Sequence, residues 1–349
     1  MASSAALPLP KPASEKPASY SVVESLLLDD WQRNFPLVSR PFTVVGDALG
    51  VSEDFVLSRL RRFVEEGVVA RVGGVVRPNT LGVSTLAALA APDLHIDAIA
   101  DVLTGFPGIN HVYLRENTLN LWFVVTGPDD RHVSQCLEQI TARTGHKVLQ
   151  LRLERAFHID LGFGLSRQSN HIRHPSAEYR PVSAGWVDDL DRQLAQQLCD
   201  GLPLISRPFQ MVANGLDIEE ADVISRLERL VSSGIIPRIG VIVRHRALGW
   251  RSNAMVVWDV PEASIERSGE ALAAVPGVNL CYRRTRYARE WPYNLYCMVH
   301  ARSREQALRT VASASGIAGL DHLPRSILFS QRCFKQTGAL ISKRRASNG

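Results

Sequence analysis

The sequence predicts an α+β chain of two tandem modules, each a winged helix-turn-helix followed by a ferredoxin-like βαββαβ domain. Three observations predict it. Residues 36–82 align without a gap to residues 203–249 at a constant offset of 167, with 22 identities in 47 positions. Each copy opens with helically spaced apolar residues and then alternates strand-like and helical stretches. The 349 residues, 45% apolar and 21% charged, suit a globular chain of at least two domains and exclude wholesale disorder.

The repeat resets the domain count. Pro36-Leu37-x-Ser39-Arg40-Pro41-Phe42 returns as Pro203-Leu204-x-Ser206-Arg207-Pro208-Phe209, and Val56-x-Ser58-Arg59-Leu60-x-Arg62 as Val223-x-Ser225-Arg226-Leu227-x-Arg229. Pro107-Gly108-Ile109-Asn110 matches Pro276-Gly277-Val278-Asn279, and Tyr113 and Arg115 match Tyr282 and Arg284. Asn120-Leu121-Trp122 matches Asn294-Leu295-Tyr296 after five extra residues in the second copy.

In copy one, Ser21 to Asn34 reads as a helix and Phe42 to Leu49 as a second. Ser52 is placed to cap a third. Phe55 to Glu66 carries apolar residues at 56, 57, 60, 63 and 64, one helical face, and Gly67 stops it. Val68 to Val76 is strand-like around Gly73-Gly74, which reads as the turn of a two-stranded wing. A strand (85–91), a helix (96–106), a hairpin (109–115 and 119–126), a helix (131–144) and a strand (147–157) complete the βαββαβ order. The expected divisions are a disordered tail 1–20, helix-turn-helix 21–82, ferredoxin-like domain 83–164 and linker 165–186. Copy two then gives 187–249 and 250–340, with a basic tail 341–349.

Composition narrows the function. No run approaches the ~20 apolar residues of a membrane helix, and residues 1–19 lack the apolar core of a secretory signal. Five scattered cysteines with no C-x-x-C pair argue against a disulfide scaffold or structural zinc and point to a reducing cytoplasm. A net charge of +5, richer in Arg than Lys, favours an anionic partner. No H-E-x-x-H, P-loop or G-x-G-x-x-G pattern is present, so no protein-bound metal or nucleotide is expected.

Both modules resemble the Lrp/AsnC regulators in plan, and Ser58-Arg59-Leu60-x-Arg62 with Gly67-Val68-Val69 resembles their helix-turn-helix. More specific phrases point elsewhere. Glu154-Arg155-Ala156-Phe157-His158-Ile159-Asp160-Leu161-Gly162-Phe163 closes copy one. Copy two carries Ile236-Pro237-Arg238-Ile239-Gly240, Arg244-His245-Arg246, Asn253-Ala254-Met255, Cys281-Tyr282-Arg283-Arg284, Trp291-Pro292-Tyr293-Asn294 and Met298-Val299-His300. These resemble the siroheme decarboxylases of haem d1 synthesis. The first half is similar to their D subunit and the second to their L subunit, as in a D–L fusion. The resemblance implies loss of CO2 from the C12 and C18 acetates of siroheme, giving 12,18-didecarboxysiroheme. It implies no separate cofactor, since the iron arrives inside the substrate. It leaves room for G–H-type sister subunits and for a homo-oligomer, and calls for neither a membrane nor nucleic acid.

Breaking the carbon–carboxylate bond leaves a carbanion-like centre beside a pyrrole ring. Cations must hold the other carboxylates in register, a donor must protonate the carbon, and the pocket must pair apolar walls with a basic rim. Arg244-His245-Arg246 is the first candidate. As strand, the arginines share a face and His245 opposes them; as loop, all three can converge. The bland alternative is a basic surface loop. Copy one has Arg77-Pro78-Asn79 there. The second candidate is the inserted hairpin: Tyr282, Arg283, Arg284, Arg286, Trp291, Tyr293 and Asn294, with Arg115 as the copy-one counterpart. Arg interleaved with large rings suits an anionic aromatic ligand, and would also suit stacked RNA bases. The third is His158, whose ordinary reading is a strand-end histidine satisfied by backbone. The family phrase makes it, with His245, a candidate proton donor in one composite pocket. Two rivals remain: a DNA-binding regulator using Arg59, Arg61 and Arg62, and a tetrapyrrole sensor without catalysis.

Overall fold

The computed structural model describes residues 20–159 and 184–342. Most of the expected N-terminal tail, of the linker and of the basic C-terminal tail lies outside these residues, although Ile341, assigned to the last, is buried in the core. In copy one, α1 (Val22–Asp29), α2 (Pro41–Leu49) and α3 (Glu53–Glu65) precede β1 (Val69–Val75). Ser52 caps α3 by accepting a hydrogen bond from the Phe55 amide, and Gly67 leaves it at φ +74°. Then come β2 (Val83–Leu89), α4 (Ile96–Thr104), β3 (Ile109–Arg115), β4 (Leu121–Gly127), α5 (Asp130–Thr144) and β5 (Leu149–Ile159). Copy two repeats the order with α6 (Asp189–Asp200), α7 (Pro208–Leu216), α8 (Glu220–Ser232), β6 (Arg238–Val243), β7 (Ser252–Trp258), α9 (Ile265–Ala273), β8 (Val278–Arg284), β9 (Leu295–Ala301), α10 (Arg304–Ile317) and β10 (Arg325–Gln336).

One local expectation is corrected. Gly73-Gly74 is not a wing turn. It lies inside the single strand β1, which pairs antiparallel with β6 of the other copy, Gly73 opposite Gly240. The glycines permit a close approach. A Cβ on Gly73 would lie 2.2 Å from the Leu198 carbonyl oxygen, and one on Gly240 would lie 2.3 Å from the Gln32 carbonyl carbon. Each wing strand therefore lies against the first helical segment of the other copy, and backbone bonds cross both ways: Phe35 N–H to Ile239 O and Leu202 N–H to Val72 O. One apolar core, including Phe42, Leu60, Phe63, Phe209, Leu227 and Leu230, serves both helix-turn-helix units.

The two βαββαβ sheets close on each other as an eight-stranded barrel in the order β10-β3-β4-β2-β5-β8-β9-β7. The last strand of each copy makes the closure. β10 pairs with β7 up to Phe329 and with β3 from Ser330 onward; β5 pairs with β2 and then with β8 from Leu153 onward. Period-two alternation sorts the side chains. Outward residues of copy one pack under α4 and α5, and those of copy two under α9 and α10. Inward residues of both copies form a fourth core, including Trp122, Leu151, Met255, Trp291, Tyr296 and Leu328. Val124 and Met298, the central inward positions of β4 and β9, stay partly exposed while the rest of both strands is buried. That leaves space within the barrel. Among the described residues no helix is long and apolar enough to cross a membrane.

Candidate functional site

β6 ends at Val243, so Arg244-His245-Arg246 is a turn rather than strand. Backbone bonds Ala247 N–H to Arg244 O and Trp250 N–H to His245 O hold it. The turn carries His245 against His300 of β9, with ring centroids 4.8 Å apart and planes at 72°. Both imidazoles are buried. β3 contributes three inward residues at i, i+2 and i+4: His111, Tyr113 and Arg115. His111 and Tyr113 stack at 6.3 Å, and the Arg115 guanidinium stands 5.3 Å from the Tyr113 ring.

A chain of hydrogen bonds fixes the protonation pattern. Arg115 donates to Asn253 Oδ1 (3.0 Å) and to the Leu328 carbonyl (3.1 Å). With its oxygen so occupied, Asn253 presents its amide NH2 to His300 Nε2 at 2.7 Å. Nε2 must then accept, so the proton of neutral His300 sits on Nδ1, which lies 3.1 Å from Asn279 Oδ1. Arg246 donates to the Ser330 hydroxyl (3.2 Å), and Cys333 hydrogen-bonds Tyr113.

The electrostatics are one-sided. Burial, then Arg246, Arg115 and His111, push His245 down to about 4. Burial and then Arg71 of β1 push His111 down to about 4. His300 falls well below its ordinary value for the same reasons, burial first and then His245, Arg115 and Arg246. Desolvation lowers even Arg115, to about 10. The site is a buried nest of cations and neutral imidazoles suited to an anion that brings its own charge.

The second seam of the barrel repeats half of this. Arg284 donates to the Leu151 carbonyl (3.0 Å) as Arg115 does to Leu328, and stands 5.0 Å from the Tyr282 ring. Where copy two has His245, Arg246 and His300, copy one aligns Pro78, Asn79 and Thr126. The His245–His300 pair therefore occurs at one seam only among the described residues.

The structure brings Arg115, His245 and Arg246 together; burial raises the Cys333 thiol, and Arg246 and Arg244 lie near enough to offset part of that rise. Tyr282 and Arg284 face inward on the other seam. Arg283 does not face inward. It points outward to Glu154 (2.7 Å), Glu262 (2.5 Å) and Glu266 (3.5 Å). Arg286 pairs with Asp259 at the surface. Trp291 is core: its indole N–H donates to the Tyr296 hydroxyl (2.7 Å), and its ring meets Trp122 (5.1 Å) and Tyr293 (4.9 Å). Asn294 fastens a loop by exchanging two bonds with the Val260 backbone, as Asn120 does with Ala91. His158 lies near the end of β5 in register with Cys281 of β8, on a different wall from His245. His300, His111, Asn253 and Tyr113 were not singled out as site residues from sequence. Alternation could have found them, since His300 shares the inward face of Met298 and Tyr296.

Both parts of each module match family models: a siroheme decarboxylase NirDL-like HTH domain at 24–69 and 191–236, and an AsnC-like ligand binding domain at 80–158 and 247–335. The siroheme decarboxylase NirDL subunit of Paracoccus denitrificans is 48% identical over 317 residues, covering 91% of this chain and 96% of that one. The NirH subunit of Pseudomonas aeruginosa siroheme decarboxylase is 36% identical over 155 residues, 44% of this chain and 91% of the subunit. A crystal structure of siroheme decarboxylase NirDL in complex with an iron-uroporphyrin III analogue superposes with a TM-score of 0.61 at 27% identity, covering 89% of this chain and 92% of that one. With near-complete mutual coverage and both domains present twice, the chain belongs to the siroheme decarboxylase NirDL family.

Proposed function

We propose that the chain removes CO2 from the C12 and C18 acetates of siroheme, giving 12,18-didecarboxysiroheme. The observation that carries this reading is the buried group of Arg115, Arg246, His245 and His300. Among the described residues, the titratable groups acting on it are arginines, histidines, Tyr113 and Cys333, with no Asp or Glu. A carboxylate-rimmed tetrapyrrole supplies the missing anions, and the barrel supplies Val124 and Met298 as apolar walls. Arg115, Arg244 and Arg246 hold carboxylates, with Arg284 and Tyr282 on the far seam. Burial excludes water from the breaking bond. The electron pair left on the methylene carbon takes a proton from a histidine, turning CH2–COO⁻ into CH3 and CO2. His245 and His300 are our first choice of donor, and His158 remains a second. The iron enters with the substrate, and no resident cofactor is invoked. All five thiols are free, which suits the cytoplasm where we place the enzyme.

The regulator reading is not favoured. Arg59 and Arg62 of α3 pair with Glu24, Arg61 donates to the Leu204 carbonyl, and Arg226 and Arg229 of α8 pair with Asp191. Cations so occupied are poorly placed to neutralise phosphates. The test is anaerobic incubation with siroheme and mass analysis of the extracted tetrapyrrole. Loss of two CO2 supports the proposal. Loss of one calls for a sister subunit of the NirH kind. Binding with unchanged mass favours a sensor.

A further inference from the structure

Each decarboxylation consumes one proton, so two acetates consume two. The site as built holds neither at neutral pH, because its imidazoles are neutral and sealed among arginines. The hydrogen-bond chain through Asn253 says how this can change. His300 Nε2 cannot carry a proton while the Asn253 NH2 points at it, and that NH2 points there because Arg115 holds Asn253 Oδ1. A carboxylate on Arg115 draws off that guanidinium. The Asn253 amide is then free to turn and present Oδ1 to Nε2–H.

We propose that Asn253 is a positioning residue that couples substrate binding to proton uptake: the substrate's carboxylates release Asn253 from Arg115, and the His245–His300 pair then takes two protons from solvent. The inference rests on the siroheme reading above and goes beyond it. The protons are taken up as the ligand's carboxylates bind, one for each carbon. In each step the carbon–carboxylate bond breaks, its electron pair stays on carbon, the imidazolium N–H bond breaks to form C–H, and CO2 leaves beside a neutral imidazole. No oxidant or reductant is needed.

The groups acting on the pair are His111 and Arg115 of β3 and Arg246 of the turn; one contact further out, Arg71 of β1 acts on His111, Tyr113 of β3 and Cys333 of β10 on Arg115, and Arg244 on Cys333. Asn253 of β7 and Asn279 of β8 complete the shell. All the charged groups among them are cationic. They hold the imidazoles neutral until anions arrive, which agrees with the lowered proton affinity of all three histidines.

The experiment measures proton uptake with a pH indicator in weakly buffered solution at pH 7.5, as iron-uroporphyrin III is added to the full chain. Binding is followed separately in the Soret band. The expected result is an uptake near two protons per bound ligand, with affinity rising roughly 100-fold per unit fall in pH, the linkage slope for two protons. Asn253→Asp places a carboxylate beside His300 and charges it in advance, so uptake falls to about one. His245→Gln also lowers it to about one. Tight binding with no uptake overturns this proposal alone. Full uptake in Asn253→Asp removes Asn253 from it and overturns the coupling. Failure of the folded chain to bind iron-uroporphyrin III overturns the coupling and the siroheme reading together.

Discussion

Acid should destabilise this chain through His245. In the folded chain the imidazole is buried beside Arg246 and Arg115 and is held down to about 4. Unfolding restores it to the ordinary 6.5. Between those values the unfolded chain binds the proton and the folded chain does not, so stability rises with pH across that window and is lost as pH falls through it. At pH 5 the unfolded imidazole is nearly all charged and the folded one nearly all neutral, a difference of about 2 kcal/mol. His245→Gln keeps the ring's approximate bulk and removes the titration. Equilibrium guanidinium unfolding at pH 7.5 and pH 5.0, read by tryptophan fluorescence, measures it. Carboxylates that titrate in both proteins cancel. Wild type should lose about 2 kcal/mol more than His245→Gln over this step. Equal losses would refute the reasoning, because they would mean that His245 is charged, or solvated, in the folded chain.

Three further outcomes follow from the packing. Gly240→Ala and Gly73→Ala each drive a methyl into another segment's backbone and should cost about 1–3 kcal/mol or more in denaturation, whereas Gly215→Ala meets nothing within 4 Å in α7 and should be neutral or stabilising by up to about 1 kcal/mol. Asn294→Ala strands the buried N–H and C=O of Val260 and should cost about 1–3 kcal/mol in the same assay. Gel-shift titration at low salt should find only weak binding of duplex DNA without sequence preference, since the arginines of α3 and α8 already have partners; tight, sequence-selective binding would restore the regulator reading.

Local patterns carried much of this fold, and long-range pairing carried the rest. The strand 109–115 and the cap at Ser52 could be read from alternation and residue type. The wing could not. Val69 to Val75 looks the same whether it folds on itself or pairs with Val243 to Arg238, far along the chain, and nothing local distinguishes the two. The site divides in the same way. Arg283 and Arg284 are adjacent, so in a strand they must face opposite sides. Alternation alone would have sent one of them away from the pocket, and outward-facing Cys281 shows which. Asn294 shows that a residue of a specific motif can also fasten a loop, which its place in the sequence does not reveal. The joining of β3 to the histidines of copy two depends on the closure of β10 onto β3, which no short window reveals.

The central claim places the chemistry at the seam where β3 meets β10, beneath the turn that bears His245. The most direct measurement is single-turnover decarboxylation of bound siroheme, under anaerobic conditions, by Arg115→Leu and Arg283→Leu side by side. Arg115→Leu, which removes a guanidinium buried in the site, should lose turnover by roughly 100-fold or more. Arg283→Leu, whose guanidinium is held outside the barrel by Glu154, Glu262 and Glu266, should turn over at near the wild-type rate. Unimpaired turnover in the first, with collapse in the folded second, would contradict the central claim.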